Sequence, residues 1–71
     1  MSESISSEAL CNIIFDLNPG TSVDHVLING NKQSVDTFAS FNPTTGIATF
    51  VKENKDILVV DCLKIDAIVF N

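Results

Sequence analysis

Residues 57–70, ILVVDCLKIDAIVF, form the most apolar stretch of the chain, and the fold depends on how they are arranged. The stretch is longer than a usual β-strand, and Asp-Cys-Leu-Lys at 61–64 interrupts its apolar run. Ile and Val dominate both halves, and β-branched residues favour strands. The stretch therefore predicts two strands joined by a tight turn or sharp bend.

Upstream of this stretch, turn signals divide the chain into further short strands. Residues 23–29 are rich in strand formers and lead into Asn29-Gly30, which favours a type I′ hairpin turn because both central positions need positive φ. Asn-Pro-Thr-Thr-Gly at 42–46 and the polar segment 53–56 predict two more turns. The predicted strands, in meander order, are about 23–29, 32–41, 47–52, 57–62 and 65–70.

One register between the second and third predicted strands brings favourable side-chain pairs together. An aromatic pair and an opposite-charge pair each contribute about 0.2–1 kcal/mol across a sheet, and a shift by one residue would lose both. The opposing pairs in this register are Phe41–Ile47, Phe38–Phe50 and Asp36–Lys52.

A helix is predicted before the strands, over about 5–17. Apolar residues recur there at the 3.6-residue period of a helix, and Pro19-Gly20 follows as a stop signal. A strand through 11–15 is the alternative. The predicted apolar stripe consists of Ile5, Ala9, Leu10, Ile13, Ile14 and Leu17.

Length and composition fit a single small acidic domain, 1–71. The 71 residues include nine acidic residues and four lysines, with no arginine, and the net charge is −5. Hydrophobic residues make up 45% of the chain, which is too many for a disordered segment. The lack of a basic excess excludes a polybasic nucleic-acid binder.

The two cysteines, Cys11 and Cys62, lie in apolar runs, where a free cysteine behaves as a small hydrophobic residue. We therefore expect two reduced thiols in the core or at an interface, with one disulfide bridge as the alternative. No metal or other cofactor is predicted, because the chain has one histidine and neither CxxC nor HxxxH spacing.

The residue pattern does not predict an enzyme. His25 stands in a strand pattern without a neighbouring nucleophile and is expected to be a half-exposed sheet residue. The five phenylalanines fit core or interface positions better than a platform for stacking bases. With no basic leader segment and no apolar run of about 18–20 residues, we expect a cytoplasmic protein without a membrane partner.

The late strands carry little that would protect a sheet edge from pairing with another chain. Strand edges in monomers are usually blunted by lysine, proline or a bulge, whereas here the lysines stand at or near turns. Edge-to-edge pairing between copies is a heterologous contact, which closes into a ring or continues as a filament. A monomer whose helix covers the edge is the alternative. The candidate interface residues are Ile57, Val59, Ile65, Ala67 and Val69.

Three segments, 26–32 (VLINGNK), 40–42 (SFN) and 65–69 (IDAIV), resemble the Sm/Lsm family, and in particular its Hfq-like branch. The chain departs from that pattern at 61–63, where Asp-Cys-Leu stands in place of the family's Tyr-Lys-His turn. The resemblance implies a mainly β fold with one N-terminal α-helix, a five-stranded antiparallel, strongly bent SH3-like (Sm-like) open barrel. It also implies a ring of about six or seven copies.

The same resemblance implies single-stranded RNA as a partner at the pore loops. A ring of six or seven copies would carry a charge of about −30 to −35, which repels phosphate. The alternative is an acidic protein-interaction or structural module, such as a viral or accessory ring subunit, that binds another protein and no RNA. The candidate RNA-binding residues are Phe41, Asn42, Thr44, Thr45 and Lys64.

Overall fold

The computed structural model describes residues 7–71, with side chains described from residue 9 onward. The strands form two three-stranded antiparallel sheets, ordered β2-β1-β6 and β3-β4-β5. The predicted class, mainly β and antiparallel with one N-terminal helix, is confirmed. The elements are α1 (Ser7–Phe15), β1 (Val23–Ile28), β2 (Asn31–Ser34), β3 (Thr37–Asn42), β4 (Ile47–Val51), β5 (Ile57–Asp61), a 3₁₀ helix (Cys62–Lys64) and β6 (Ile65–Phe70).

Helix α1 ends at Phe15, two residues earlier than predicted, and its described part buries a narrower stripe. Leu10 and Ile14 lie in the core and Leu17 packs against it, whereas Ile13, predicted on the same stripe, is exposed. The spacing i, i+4, i+7 of the three inward residues follows one helix face, and Ile13 falls beside it. The alternative strand over 11–15 is wrong, because these residues are helical. Predicted helix residues 5 and 6 lie outside the described residues.

The β1–β2 turn has the predicted conformation. Asn29 and Gly30 have φ of 55° and 81°, the two positive values that a type I′ turn requires. The carboxylate of Asp66 on β6 accepts a hydrogen bond from the Gly30 amide at 2.8 Å. A side chain from the end of the chain therefore holds the turn against the third strand of its sheet.

The predicted second strand, 32–41, is divided into β2 and β3, so residues 7–71 contain six strands instead of the five predicted. The Val35 amide donates to the Asp24 carbonyl at 3.2 Å, on the β1 side. The next amide, of Asp36, donates to the Val51 carbonyl of β4 at 2.8 Å. The chain therefore changes sheets at these two residues, and the side chain of Val35 is buried inside the bend.

The predicted register of β3 and β4 is right at one end and displaced at the other. Phe38 lies opposite Phe50 as predicted, and their rings meet edge to face with centroids 5.7 Å apart. A register shift between Phe38 and Ser40 then moves the remaining pairs by one residue. Such a bulge places an extra residue in one strand, which sequence pairing rules do not reveal.

Two of the predicted pairs are wrong because of this bulge and because the ladder ends early. Phe41 lies opposite Ala48, and Ile47 lies opposite Asn42. The last pair of the ladder is Thr37 with Val51, and residues 7–71 show no ion pair between Asp36 and Lys52.

One core fills the space between the two sheets and is closed by α1. Its largest fully buried side chains come from α1 and from strands of both sheets, so no single element forms the core. These core residues are Leu10, Ile14, Val23, Val26, Val35, Phe38, Ala48, Phe50, Cys62 and Ile65.

The expectation of two reduced thiols is wrong, because Cys11 and Cys62 form a disulfide. Their Cα atoms are 5.3 Å apart although 51 positions separate them in sequence. The apolar surroundings correctly indicated that Cys62 is buried and that Cys11 packs partly against the core, but not that α1 packs against the 3₁₀ helix. Closing a loop of this length stabilises the fold by about 4 kcal/mol in the chain-entropy treatment.

We expect reduction, or the double substitution Cys11→Ser and Cys62→Ser, to lower the free energy of unfolding by about 2–5 kcal/mol. Urea denaturation with and without reductant measures this change. Thiol titration of the denatured chain should find no free thiol before reduction and two afterwards. Two reactive thiols before reduction would contradict the structure.

Candidate functional site

A groove lies beside the disulfide, between the end of α1, the β3–β4 loop and the 3₁₀ helix. We call it the disulfide groove; its volume is about 480 Å³ and it is open to solvent. This volume is within the range of ligand sites in proteins. Its walls include Phe15, Phe41, Pro43, Thr44, Thr45, Asp61, Leu63 and the two bonded cysteines.

Two aromatic rings form one wall of the disulfide groove. Phe15, the last residue of α1, is 59% exposed, and Phe41 on β3 packs partly against the core. Their ring centroids are 6.2 Å apart in an edge-to-face arrangement. Leu63 on the opposite element is also more than half exposed. The groove therefore presents apolar surface that the fold itself does not cover.

The β3–β4 loop is held in shape by the side chain of Asn42. The Asn42 carboxamide oxygen accepts hydrogen bonds from the amides of Thr44, at 2.9 Å, and Thr45, at 3.4 Å. The backbone closes with Gly46 donating to the Asn42 carbonyl at 2.7 Å, and Gly46 has a φ of 77°. Asn42 therefore supports the loop, and Thr44 and Thr45 line the groove.

Asp61 is the one charged side chain among the described residues that line the disulfide groove. Its Oδ1 accepts a hydrogen bond from the Leu63 amide at 2.9 Å and so caps the 3₁₀ helix. Its other carboxylate oxygen has no hydrogen-bond partner within residues 7–71. A partly buried negative charge therefore stands beside the aromatic wall.

Lys64 is not among the residues that line the disulfide groove. It lines a second depression of about 540 Å³, which shares Asp61 and Leu63 with the groove. Phe41, Thr44 and Thr45 are brought together in the disulfide groove, which has no cation among the residues described. Phe15 and Asp61 were not predicted as members of this site, because the predicted helix continued to Leu17 and Phe15 was expected in the core or at an interface.

A second surface is formed by β5, the last strand of its sheet, whose outer edge has no strand partner within residues 7–71. We call residues 57–61 the β5 edge. Ile57 and Val59 are each 58% exposed on one face, while Leu58 and Val60 pack against the core. Alternating side chains thus leave β5 with an apolar outer face beside unpaired backbone groups.

The other interface candidates lie on β6, the last strand of the second sheet. Val69 is exposed and Ala67 is half-buried, but Ile65 is fully buried opposite Ile28 of β1. The Ile65 side chain therefore belongs to the core and has no exposed surface to offer another copy. Only its backbone could take part in edge pairing.

The remaining titratable groups do not form a catalytic or metal cluster in the described range. His25 is half-buried in β1, and its Nδ1 lies 2.6 Å from Oδ2 of Asp24. Within residues 7–71, no group of three or more His, Cys, Asp or Glu side chains is arranged to hold a metal ion.

No known protein family, curated protein sequence or solved structure matches this chain. None of the helices in the described part of the chain is long and apolar enough to cross a membrane. The disulfide groove and the β5 edge are therefore the two candidate binding surfaces of this protein.

Replacing Asn42 by Ala should loosen the β3–β4 loop, because the amides of Thr44 and Thr45 lose their acceptor. The loss of such a bond costs about 0.5–1.5 kcal/mol, which should speed amide exchange at Thr44 by about twofold to tenfold. Hydrogen exchange followed by NMR measures this rate. Asn42→Asp keeps an acceptor oxygen and serves as the control; equal exchange in both variants would exclude a supporting role for the side chain.

Proposed function

We propose that this protein is a structural subunit that assembles with copies of itself through the β5 edge. The observation that carries the proposal is the exposure of Ile57 and Val59, 58% each, on a strand without an outer partner. The lysines nearest to β5, Lys55 and Lys64, stand outside the strand, so no charge on it opposes pairing until Asp61. Unprotected apolar edges of this kind pair with other strands.

The outer edge of β6 also has no strand partner within residues 7–71 and supplies a complementary edge in the same molecule. In the proposed contact, β5 of one copy pairs with β6 of the next, so an open row of copies has one free β5 at one end and one free β6 at the other until it closes. Such a heterologous contact generates a ring when the rotation closes. The ring of six or seven copies is part of the proposal and comes from the Sm/Lsm resemblance.

An SH3-like, Sm-like open barrel is also proposed, and the hydrogen bonds around the β2–β3 bend support it. Val23 donates to the Asp36 carbonyl at 3.0 Å, and Ser22 and Thr37 form a bridge, so β1 follows the chain past β2 into β3. A single bent strand flanked by β1 and β4 would then join both sheets. The sequence of neighbours becomes β6-β1-β2/β3-β4-β5, with the β5 and β6 edges open.

The proposal does not extend to RNA binding. Among the residues described, Asp61 is the one charged residue that lines the disulfide groove, and Lys64 lines only the neighbouring depression that shares Asp61 and Leu63 with it. Phosphate contacts with cations supply most of the affinity of nucleic-acid binders, and an assembly with a charge of −5 per copy would repel the ligand.

The Cys11–Cys62 disulfide favours an oxidising compartment over the cytoplasmic location expected from the sequence. Structural disulfides persist in such compartments and are kept reduced in most cytosols. We include this location in the proposal. It is independent of the self-assembly.

Native mass measurement should give six or seven times the 7.7 kDa of one chain. Val59→Lys should release monomers, because a lysine in the centre of the apolar face would have to be desolvated in the contact. Analytical ultracentrifugation over a range of concentrations measures both masses.

Ile13→Lys is the matched control, because it also places a lysine at an exposed apolar position, but on α1. We expect it to retain the assembly. Wild-type protein that remains at the monomer mass at high concentration would disprove the proposal, as would dissociation in both variants.

Titration with labelled oligo-U and oligo-A at low salt tests the RNA alternative. We expect no saturable binding, since the groove offers no cation to the phosphates. Saturable binding that weakens steeply with added salt would show that the protein binds RNA, whether or not the assembly forms.

A further inference from the structure

We infer that the disulfide groove binds an arginine side chain presented by a segment of a partner protein. The disulfide groove shares Asp61 with the β5 edge but is formed mainly by other elements, and the inference does not depend on self-assembly. It follows from the combination of an aromatic wall, a single carboxylate and a rigid polar loop in one open groove.

The aromatic wall fits a flat cation. Phe15 is 59% exposed and meets Phe41 edge to face, which leaves ring surface in contact with solvent at the groove. Guanidinium groups stack on aromatic faces and are weakly hydrated, so they lose less than an ammonium group when they leave water. The aliphatic part of an arginine side chain would cover Leu63, which is 53% exposed.

Asp61 fixes the sign of the ligand's charge. Its carboxylate is half-buried, and one oxygen is engaged by the Leu63 amide while the other has no partner within residues 7–71. A purely apolar ligand would cover this charge without compensating it, which is costly. A guanidinium would pair with it through charge-assisted hydrogen bonds. An anion would be repelled, because no described cation lines the groove.

The β3–β4 loop supplies the remaining polar contacts without having to order itself. The Asn42 side chain already holds the amides of Thr44 and Thr45, and both threonines line the groove. A preorganised loop lowers the entropic cost of binding. The threonine hydroxyls can accept hydrogen bonds from the backbone or the guanidinium of an extended segment that crosses the groove.

The overall charge favours a basic partner as well. The chain carries −5 and contains no arginine of its own, so another copy could not supply the guanidinium. We therefore infer that the arginine bound in the groove belongs to a different protein. Long-range attraction between the acidic chain and a basic segment would also speed their encounter.

The probe is a five-residue peptide, acetyl-Gly-Gly-Arg-Gly-Gly-amide, compared with the same peptide carrying citrulline, the neutral isostere of arginine. NMR titration of the oxidised protein should shift the amide signals of Thr44, Thr45 and Leu63 with the arginine peptide. Citrulline should bind at least about fivefold more weakly, because the ion pair with Asp61 is lost. A lysine peptide tests whether the flat guanidinium is required.

Asp61→Asn is the decisive variant, because asparagine keeps the oxygen that caps the 3₁₀ helix and removes only the charge. We expect its affinity for the arginine peptide to fall by about fivefold. Asp66→Asn is the matched control: it changes the net charge equally, keeps an acceptor for Gly30 and lies outside the groove. Its affinity should stay within twofold of wild type, which is about 0.4 kcal/mol.

The aromatic wall is tested in the same way by Phe15→Ala, with Ile13→Ala as the control on the same helix. Loss of binding in Phe15→Ala alone supports the inference. An equal loss of affinity in Asp61→Asn and Asp66→Asn would show that the peptide binds by unspecific charge attraction, and this result would overturn the inference. Equal binding of arginine and citrulline peptides, or no signal shifts at all, would also overturn it.

Discussion

The covalent bond between Cys11 and Cys62 is the constraint on which the rest of the structure depends. Helix α1 has nine residues, too few for a helix to be stable by itself in water. The bond fixes α1 to the 3₁₀ helix, and Leu10 and Ile14 can then close the core. A domain of this length buries only about 60% of the surface that its unfolded chain exposes. The disulfide therefore adds stability that a small hydrophobic core does not provide.

The same bond also lies beside the proposed binding groove. Phe15 stands at the end of α1, and its ring meets that of Phe41 at the wall of the groove that the disulfide borders. Asp61 ends β5 and caps the 3₁₀ helix that contains Cys62, so one residue borders both the β5 edge and the disulfide groove. The groove and the edge are thus separate in chemistry but adjacent in the fold.

Much of the local structure could be predicted because its causes are local. Asn29-Gly30 forms the turn that its positive φ values require, and the aromatic pair Phe38–Phe50 sets the register where the strands are regular. Prediction failed where the conformation of a residue depends on contacts with residues that are distant in the sequence. The bulge after Phe38 displaced the pairs near the turn, and Val35 divides a stretch that strand propensity alone treats as continuous. Phe41, Thr44 and Thr45, which the sequence predicted as RNA-binding residues, line the disulfide groove together with Asp61 and Phe15, which it did not predict there.

By itself the sequence determined the class of fold, the acidic charge and the positions of the turns, because composition, apolar periodicity and φ preferences act over a few residues. Only the tertiary structure decided that the two cysteines meet, that Ile65 lies in the core and that Lys64 does not line the groove beside the β3–β4 loop. These outcomes depend on how the bend at Val35 turns one sheet against the other. The bend results from the twist of several strands and from packing contacts along the whole chain, so it cannot be predicted from any short stretch of residues.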